Sequence, residues 1–254
     1  DTIPQAAEER RENSPLHRLG LYVILAIIGS TVFYVAIILG AGMTAPWRSI
    51  VGEDLPTAAA FSSAFESQLL VRLVLMAGLI GLLTSWNGFF LAGSRVLFSL
   101  GRGRIIHESF GQTHSRYGTP ARAVLFSGLV TFLSACLGRG AIIAFVDVGS
   151  FCIAMAFLGV ALSLIQLRKK FPDMERPYRM PGGNALAYVA TAGSLLILAV
   201  MLIPTSPSVL VWPLEWLILG ALSVTGIGFW IGARRYRQRI SEEDRAKLIL
   251  ENYA

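Results

Sequence analysis

The chain has 254 residues, 54% hydrophobic and only 15% charged, with a mean hydropathy of +0.60; a soluble domain carries about 25% charged residues to face water, so the composition is that of a membrane protein. Long apolar runs, the lack of a glycine period and the presence of only Cys136 and Cys152 exclude a disordered chain, a collagen-like repeat and a disulfide scaffold. The net charge of +6 sits in short basic clusters between apolar runs, the pattern that orients a polytopic membrane protein, rather than on one face for nucleic acid.

The opening Asp1-Thr2-Ile3-Pro4-Gln5-Ala6-Ala7-Glu8-Glu9 has neither an initiating Met nor a signal peptide and reads as the start of a fragment. A hydrocarbon core about 30 Å thick takes roughly 20 apolar residues as helix. Six runs meet that need, at about 19–41, 72–100, 121–137, 141–167, 185–203 and 214–233. Each is apolar on nearly every side, and hydrocarbon leaves irregular backbone unsatisfied. The expected fold is therefore all-α, a polytopic domain of six transmembrane helices followed by a basic tail over 234–254. Both cysteines lie in apolar stretches and read as small core residues.

Of the 22 basic residues, Arg48, Arg72 and Arg139 fall in one set of connections and Arg95 within a span, and the remaining 18 share the opposite set. That asymmetry across an even number of spans places both ends in the cytoplasm, as expected of a multi-pass cell-membrane protein. Trp47, Trp212, Trp216 and Trp230 suit interface anchors, where an indole rests half in the headgroups.

Channels, transporters, receptors and membrane enzymes all present helices, so function must be sought in polar residues at membrane depth. The second span carries Thr84-Ser85-Trp86-Asn87-Gly88 near mid-membrane, where hydroxyls and a carboxamide need another helix, an ion or a substrate as partner. Arg95, in the inner half of the same span, reads as structural or gating, its stem long enough to reach the interface or a helix end. Asp147 lies about five residues into the fourth span, near the outer face. Two readings stand for it: a carboxylate facing a water-filled vestibule and coupling to a cation, or a group capping or pairing near the helix end, with Arg139 as partner. Small residues such as Gly78, Gly81, Gly88 and Gly93, or Gly149 and Gly159, read as close helix packing, with unwinding at a binding site the lesser alternative.

Catalysis finds no support. The three histidines, His17, His107 and His114, all fall in connections, and there is no Gly-x-Ser-x-Gly elbow, P-loop or dinucleotide fingerprint. An enzyme is not expected, nor any cofactor or metal.

Three stretches together resemble the amino acid-polyamine-organocation permease superfamily, specifically its bacterial amino acid permeases. The opening nine residues are similar to the end of that family's sixth helix, just past its unwound segment. Ser94-Arg95 through Gly101-Arg102, followed by Tyr117-Gly118-Thr119-Pro120-Ala121-Arg122-Ala123, resembles the eighth helix and the cytoplasmic loop into the ninth. Leu167-Arg168-Lys169-Lys170-Phe171-Pro172-Asp173 with Arg176-Pro177-Tyr178-Arg179-Met180-Pro181-Gly182 resembles the loop between the tenth and eleventh. After Gly101-Arg102 the family commonly continues with an acidic residue, a Gly and a Pro, where this chain has Gly103, Arg104, Ile105, Ile106 and His107.

The resemblance implies that the six spans are helices seven to twelve of a twelve-helix transporter built on two inverted five-helix repeats, with substrate held at mid-membrane between discontinuous helices one and six. It implies coupling or near-site roles for Asp1 and Thr2, and pathway or cation contact for Ser85, Trp86 and Asn87. Function would then be secondary active transport of an amino acid by alternating access, coupled to a proton or sodium. A polyamine or ethanolamine-type permease is the alternative within that class. A non-transporting membrane module that relies on a partner for further helices is the alternative outside it.

Overall fold

Backbone amides facing hydrocarbon have no water to bond, so apolar runs of this length close their hydrogen bonds within the segment as helix. The computed structural model describes residues 16–44, 46, 48–49, 53, 55–65, 67–172, 182–241, 244–245 and 248, and the regular structure among them is helical throughout. In chain order the elements are α1 (Leu16–Thr44), α2 (Pro56–Phe65), α3 (Gln68–Arg102), a 3-10 turn (Glu108–Gly111), α4 (Ala121–Ala135), α5 (Arg139–Lys170), α6 (Gly183–Leu202), α7 (Leu214–Gly232) and the single turn α8 (Arg234–Arg237).

Five of these, α1, α3, α5, α6 and α7, are long and apolar enough to cross a membrane. The sixth expected span is present as α4, but with 15 residues it rises only about 22 Å, short of the hydrocarbon thickness. It stops because the chain reverses at once: Gly138 adopts φ +84°, a left-handed conformation open to glycine, and α5 starts at Arg139. In contrast, α3 with 35 residues and α5 with 32 rise about 52 and 48 Å, so both outrun the bilayer or cross it tilted. Helix α2 lies within a connection expected to be open. It packs on α1 and buries Ala58 and Ala60.

The chain divides into two compact units, Asp1–Ala92 and Gly93–Ala254, the boundary falling inside α3. In the first, α2 rests on α1. In the second, α5 is the centre: α6 packs along it extensively and α7 to a lesser degree. Val148, wholly buried, meets Met201 and Leu210, with Phe151, Ile218 and Leu219 around them. In lipid such a core gains from close packing more than from leaving water, because the tails outside are as apolar as leucine.

Hydrogen bonds finish both ends of this second unit. At one end, between α6 and α7, Leu210 N–H donates to Met201 O at 3.1 Å and Val211 N–H to Glu215 Oε2 at 2.6 Å. Trp216 Nε1–H donates to Leu210 O at 3.2 Å. Glu215 is thus a buried carboxylate, 4% exposed, that closes its own helix start. At the other end Arg168 donates to Asn184 Oδ1 at 2.9 Å, tying α5 to α6.

Two sequence expectations are corrected here. Cys136 and Cys152 are exposed rather than core: the first terminates α4 and the second lies on an outer face of α5. The glycines expected at close helix contacts are also open. A Cβ built on Gly78, Gly81, Gly93, Gly149 or Gly159 meets nothing within 4 Å. An apolar helix carries small residues on a face that receives another helix, and the elements described here do not supply one at these positions.

Candidate functional site

The mid-membrane polar cluster lies on α3, which runs through Thr84–Gly88 as unbroken helix. Thr84 Oγ1 donates to Ile80 O at 2.9 Å, so its hydroxyl is satisfied within the helix. Trp86 packs on Phe90 one turn later, ring centroids 5.6 Å apart. Successive residues turn by about 100° on a helix, which sets Ser85 and Asn87 on nearly opposite sides. The structure therefore keeps Ser85, Trp86 and Asn87 adjacent along the chain without bringing all three to one face. Each is exposed, Trp86 by 52%.

Asp147 belongs to the second unit. It lies eight residues after Arg139, the first residue of α5, and so about 12 Å along the axis from it, deeper than the sequence suggested. It is half-buried beside the wholly buried Val148, and Ser150 Oγ in the next turn donates to Val146 O at 2.9 Å. Asp1 and Thr2 lie outside the described residues. Arg95 is half-buried next to Ser94, which is 1% exposed.

The densest polar construction is elsewhere, where α3 ends. Ile105 N–H donates to Leu100 O at 2.9 Å and Arg104 N–H to Gly101 O at 3.0 Å, the paired bonds of a Schellman termination. Arg104 holds the left-handed position, φ +52°, that glycine ordinarily takes. The chain then folds back so closely that Gly101 and Gly111 meet backbone to backbone: a Cβ on Gly101 would overlap the Gly111 nitrogen and lie 2.7 Å from the Phe110 carbonyl carbon. Between them His107 starts the 3-10 turn. Its Nδ1 accepts from Ser109 N–H at 3.2 Å and lies 2.9 Å from Ser109 Oγ. Because Nδ1 accepts, the proton of the neutral ring is assigned to Nε2, which donates to Tyr236 Oη at 3.1 Å.

Aromatic rings seat this turn on two helices. Phe110 meets Phe126 of α4 edge-on at 5.5 Å and Phe229 of α7 at 6.0 Å, while Phe126 and Phe229 are 5.9 Å apart. Such pairs contribute about 0.5–1.5 kcal/mol each beyond their burial. The end of α7 is in turn closed by Arg237, whose guanidinium lies 4.1 Å from the Trp230 ring centroid and donates to Trp230 O at 3.2 Å. The connection 103–120, the start of α4 and the end of α7 therefore share one end of this unit, the end richest in arginine. Pattern reading missed these contacts because their partners are far apart in sequence: His107 and Tyr236 are separated by 129 residues. The run Gly101-Arg102-Gly103-Arg104 is their only local signal, two glycines at the close of a long apolar helix.

Among the described residues no cluster of three His, Cys, Asp or Glu side chains could hold a metal. Comparison with known proteins identifies what this architecture is similar to. The family model described as amino acid permease matches residues 1–227. A branched-chain amino acid permease of Bacillus subtilis is 25% identical over 222 residues, which cover 86% of this chain and 46% of the relative. A methylthioribose transporter of the same organism is 26% identical over 184 residues, 71% of this chain and 38% of the relative. A probable polyamine transporter of Arabidopsis thaliana is 37% identical over 118 residues, 45% of this chain and 22% of the relative. The chain spans less than half the length of each of these relatives.

Proposed function

This chain belongs to the amino acid permease family, and on that premise we propose that it forms the second half of a secondary active transporter that moves amino acids across the cell membrane by alternating access. The family match over residues 1–227 carries the reading. Its place as the later half follows from the order of the three resembling stretches, which would make α1, α3, α4, α5, α6 and α7 the seventh to twelfth helices of a five-plus-five inverted repeat with two helices appended. The open faces around Gly78, Gly81, Gly149 and Gly159 support it, because helices supplied from outside these residues would close on them. The basic end formed by the 103–120 connection and the close of α7 would face the cytoplasm, with both ends of the chain.

In this reading Ser85 and Asn87 look to different neighbours across α3, one towards the pathway and one towards packing, and Asp1, Thr2 and Asp147 are the acidic and polar groups placed to sense a coupling proton or sodium. A polyamine substrate is the second reading, favoured by the likeness to a probable polyamine transporter. The two separate chemically: an amino acid needs donors for its carboxylate, whereas an amine needs only acceptors.

The deciding experiment is an uptake panel with the full-length protein in proteoliposomes, using radiolabelled amino acids and polyamines under imposed pH and sodium gradients. Saturable amino acid uptake supports the proposal, and uptake of polyamines alone transfers it to the second reading. Asp1→Asn and Asp147→Asn variants read out coupling. The variant that keeps uptake but loses its gradient dependence marks the coupling residue, and unchanged dependence in both returns them to structural roles.

A further inference from the structure

The folded-back connection after α3 encloses a cavity of about 330 Å³. The Gly101 and Gly111 backbones wall it, Arg102, Arg104, Glu108 and Gln112 point their chemistry at it, and Leu248 adds an apolar contact from the chain's last turns. We propose that this cavity binds a phosphoryl anion, carried by an anionic phospholipid headgroup or by free phosphate.

The donor set is that of a phosphate site. Two guanidiniums stand against a single carboxylate. Glu108 Oε2 approaches Arg104 Nε only to 3.9 Å, a loose pair that leaves most of a five-donor fork for an oxyanion. Gln112 uses its Oε1 to accept from Arg122 Nη1 at 3.2 Å, which leaves its NH₂ group as the donor on the other side of the carboxamide. A water molecule's share of liquid is about 30 Å³, so the cavity has room for a phosphate with several waters or for a glycerophosphate.

The walls are built rather than incidental. Gly101 and Gly111 touch without space for a Cβ, His107 caps the turn and bonds Tyr236, and Phe110 is wedged against Phe126 and Phe229. Arg104 occupies a left-handed position where glycine would be conformationally cheaper, and an outlier of that kind points to use of the side chain. The site also lies at the end of the unit that carries Arg122 and Arg237, where the local potential gathers anions.

The test uses full-length protein in phosphatidylcholine nanodiscs, titrated with phosphatidylglycerol in one arm and inorganic phosphate in the other, with melting temperature and apparent affinity as readouts. Saturable stabilisation is expected. Arg102→Gln and Arg104→Gly should each weaken it about fivefold, the effect of one guanidinium beside an anionic headgroup. Glu108→Gln should tighten it by a similar factor, which damage to the fold does not mimic. Saturation by lipid with no response to phosphate assigns the headgroup, and saturation by phosphate that competes with lipid assigns the shared phosphoryl group. Lack of saturable binding in both arms, or equal affinity in wild type and all three variants, overturns the site.

Discussion

Gly101 and Gly111 are irreplaceable for a reason that concerns space. Their backbones occupy the volume a methyl would need, with Phe110 and Arg102 as immovable neighbours. Gly101→Ala is expected to cost about 1–3 kcal/mol by forcing the turn off α3, seen as a lower melting temperature with faster proteolysis within 103–112. An unchanged melt would contradict the close approach. Tyr236→Phe keeps the edge-on ring contact with His107, 4.9 Å between centroids, and removes only the hydroxyl. About 0.5–1.5 kcal/mol should be lost, and hydrogen exchange at Ser109 N–H should quicken. At this scale the sequence was least legible: residue types were visible, but His107 reads as one histidine in a loop until the fold brings Tyr236 to it.

The elements were more legible than the contacts between them. Five of the six expected spans appear as helices of spanning length, with ends displaced by a few residues, because twenty consecutive apolar residues have few other ways to satisfy their backbone. Helix α4 departed because a Gly-containing reversal, invisible to hydropathy, ends it at Ala135. Helix α2 was missed because ten residues of alanine, serine and phenylalanine carry too weak a periodic signal. The packing of α5, α6 and α7 is tested by Leu210→Ala. Leu210 is 3% exposed between Val148 and Met201, so its truncation leaves a cavity worth about 2–5 kcal/mol. A loss well below that range would show the α6–α7 connection to be only loosely seated on α5.

For the whole molecule, the decisive fact is how little of the chain's apolar surface its own helices cover. Phe33, Ile38, Leu82, Leu129 and Val160 are all more than half exposed, and the window of highest hydropathy in α1 and in α3 has no buried residue. Lipid covers part of such surface, and in the proposed transporter the remaining helices cover more. Proteoliposomes carrying only residues 1–254 should therefore take up no substrate above empty vesicles, while the full-length protein does. Uptake by this chain alone would show that it forms a complete pathway.

Composition and the length of the apolar runs by themselves determined that this protein is a helical, multi-pass membrane protein. Hydrocarbon leaves a backbone no other partner, and family resemblance in the connecting loops pointed to a permease. Which side chains meet was decided only by tertiary structure. The joining of the 103–120 connection to α4 and α7, the wall formed by two glycines and the arginines gathered around one cavity all depend on groups separated by up to 129 residues. No local pattern encodes such distances, because hydropathy records whether a residue is apolar and not what lies across from it.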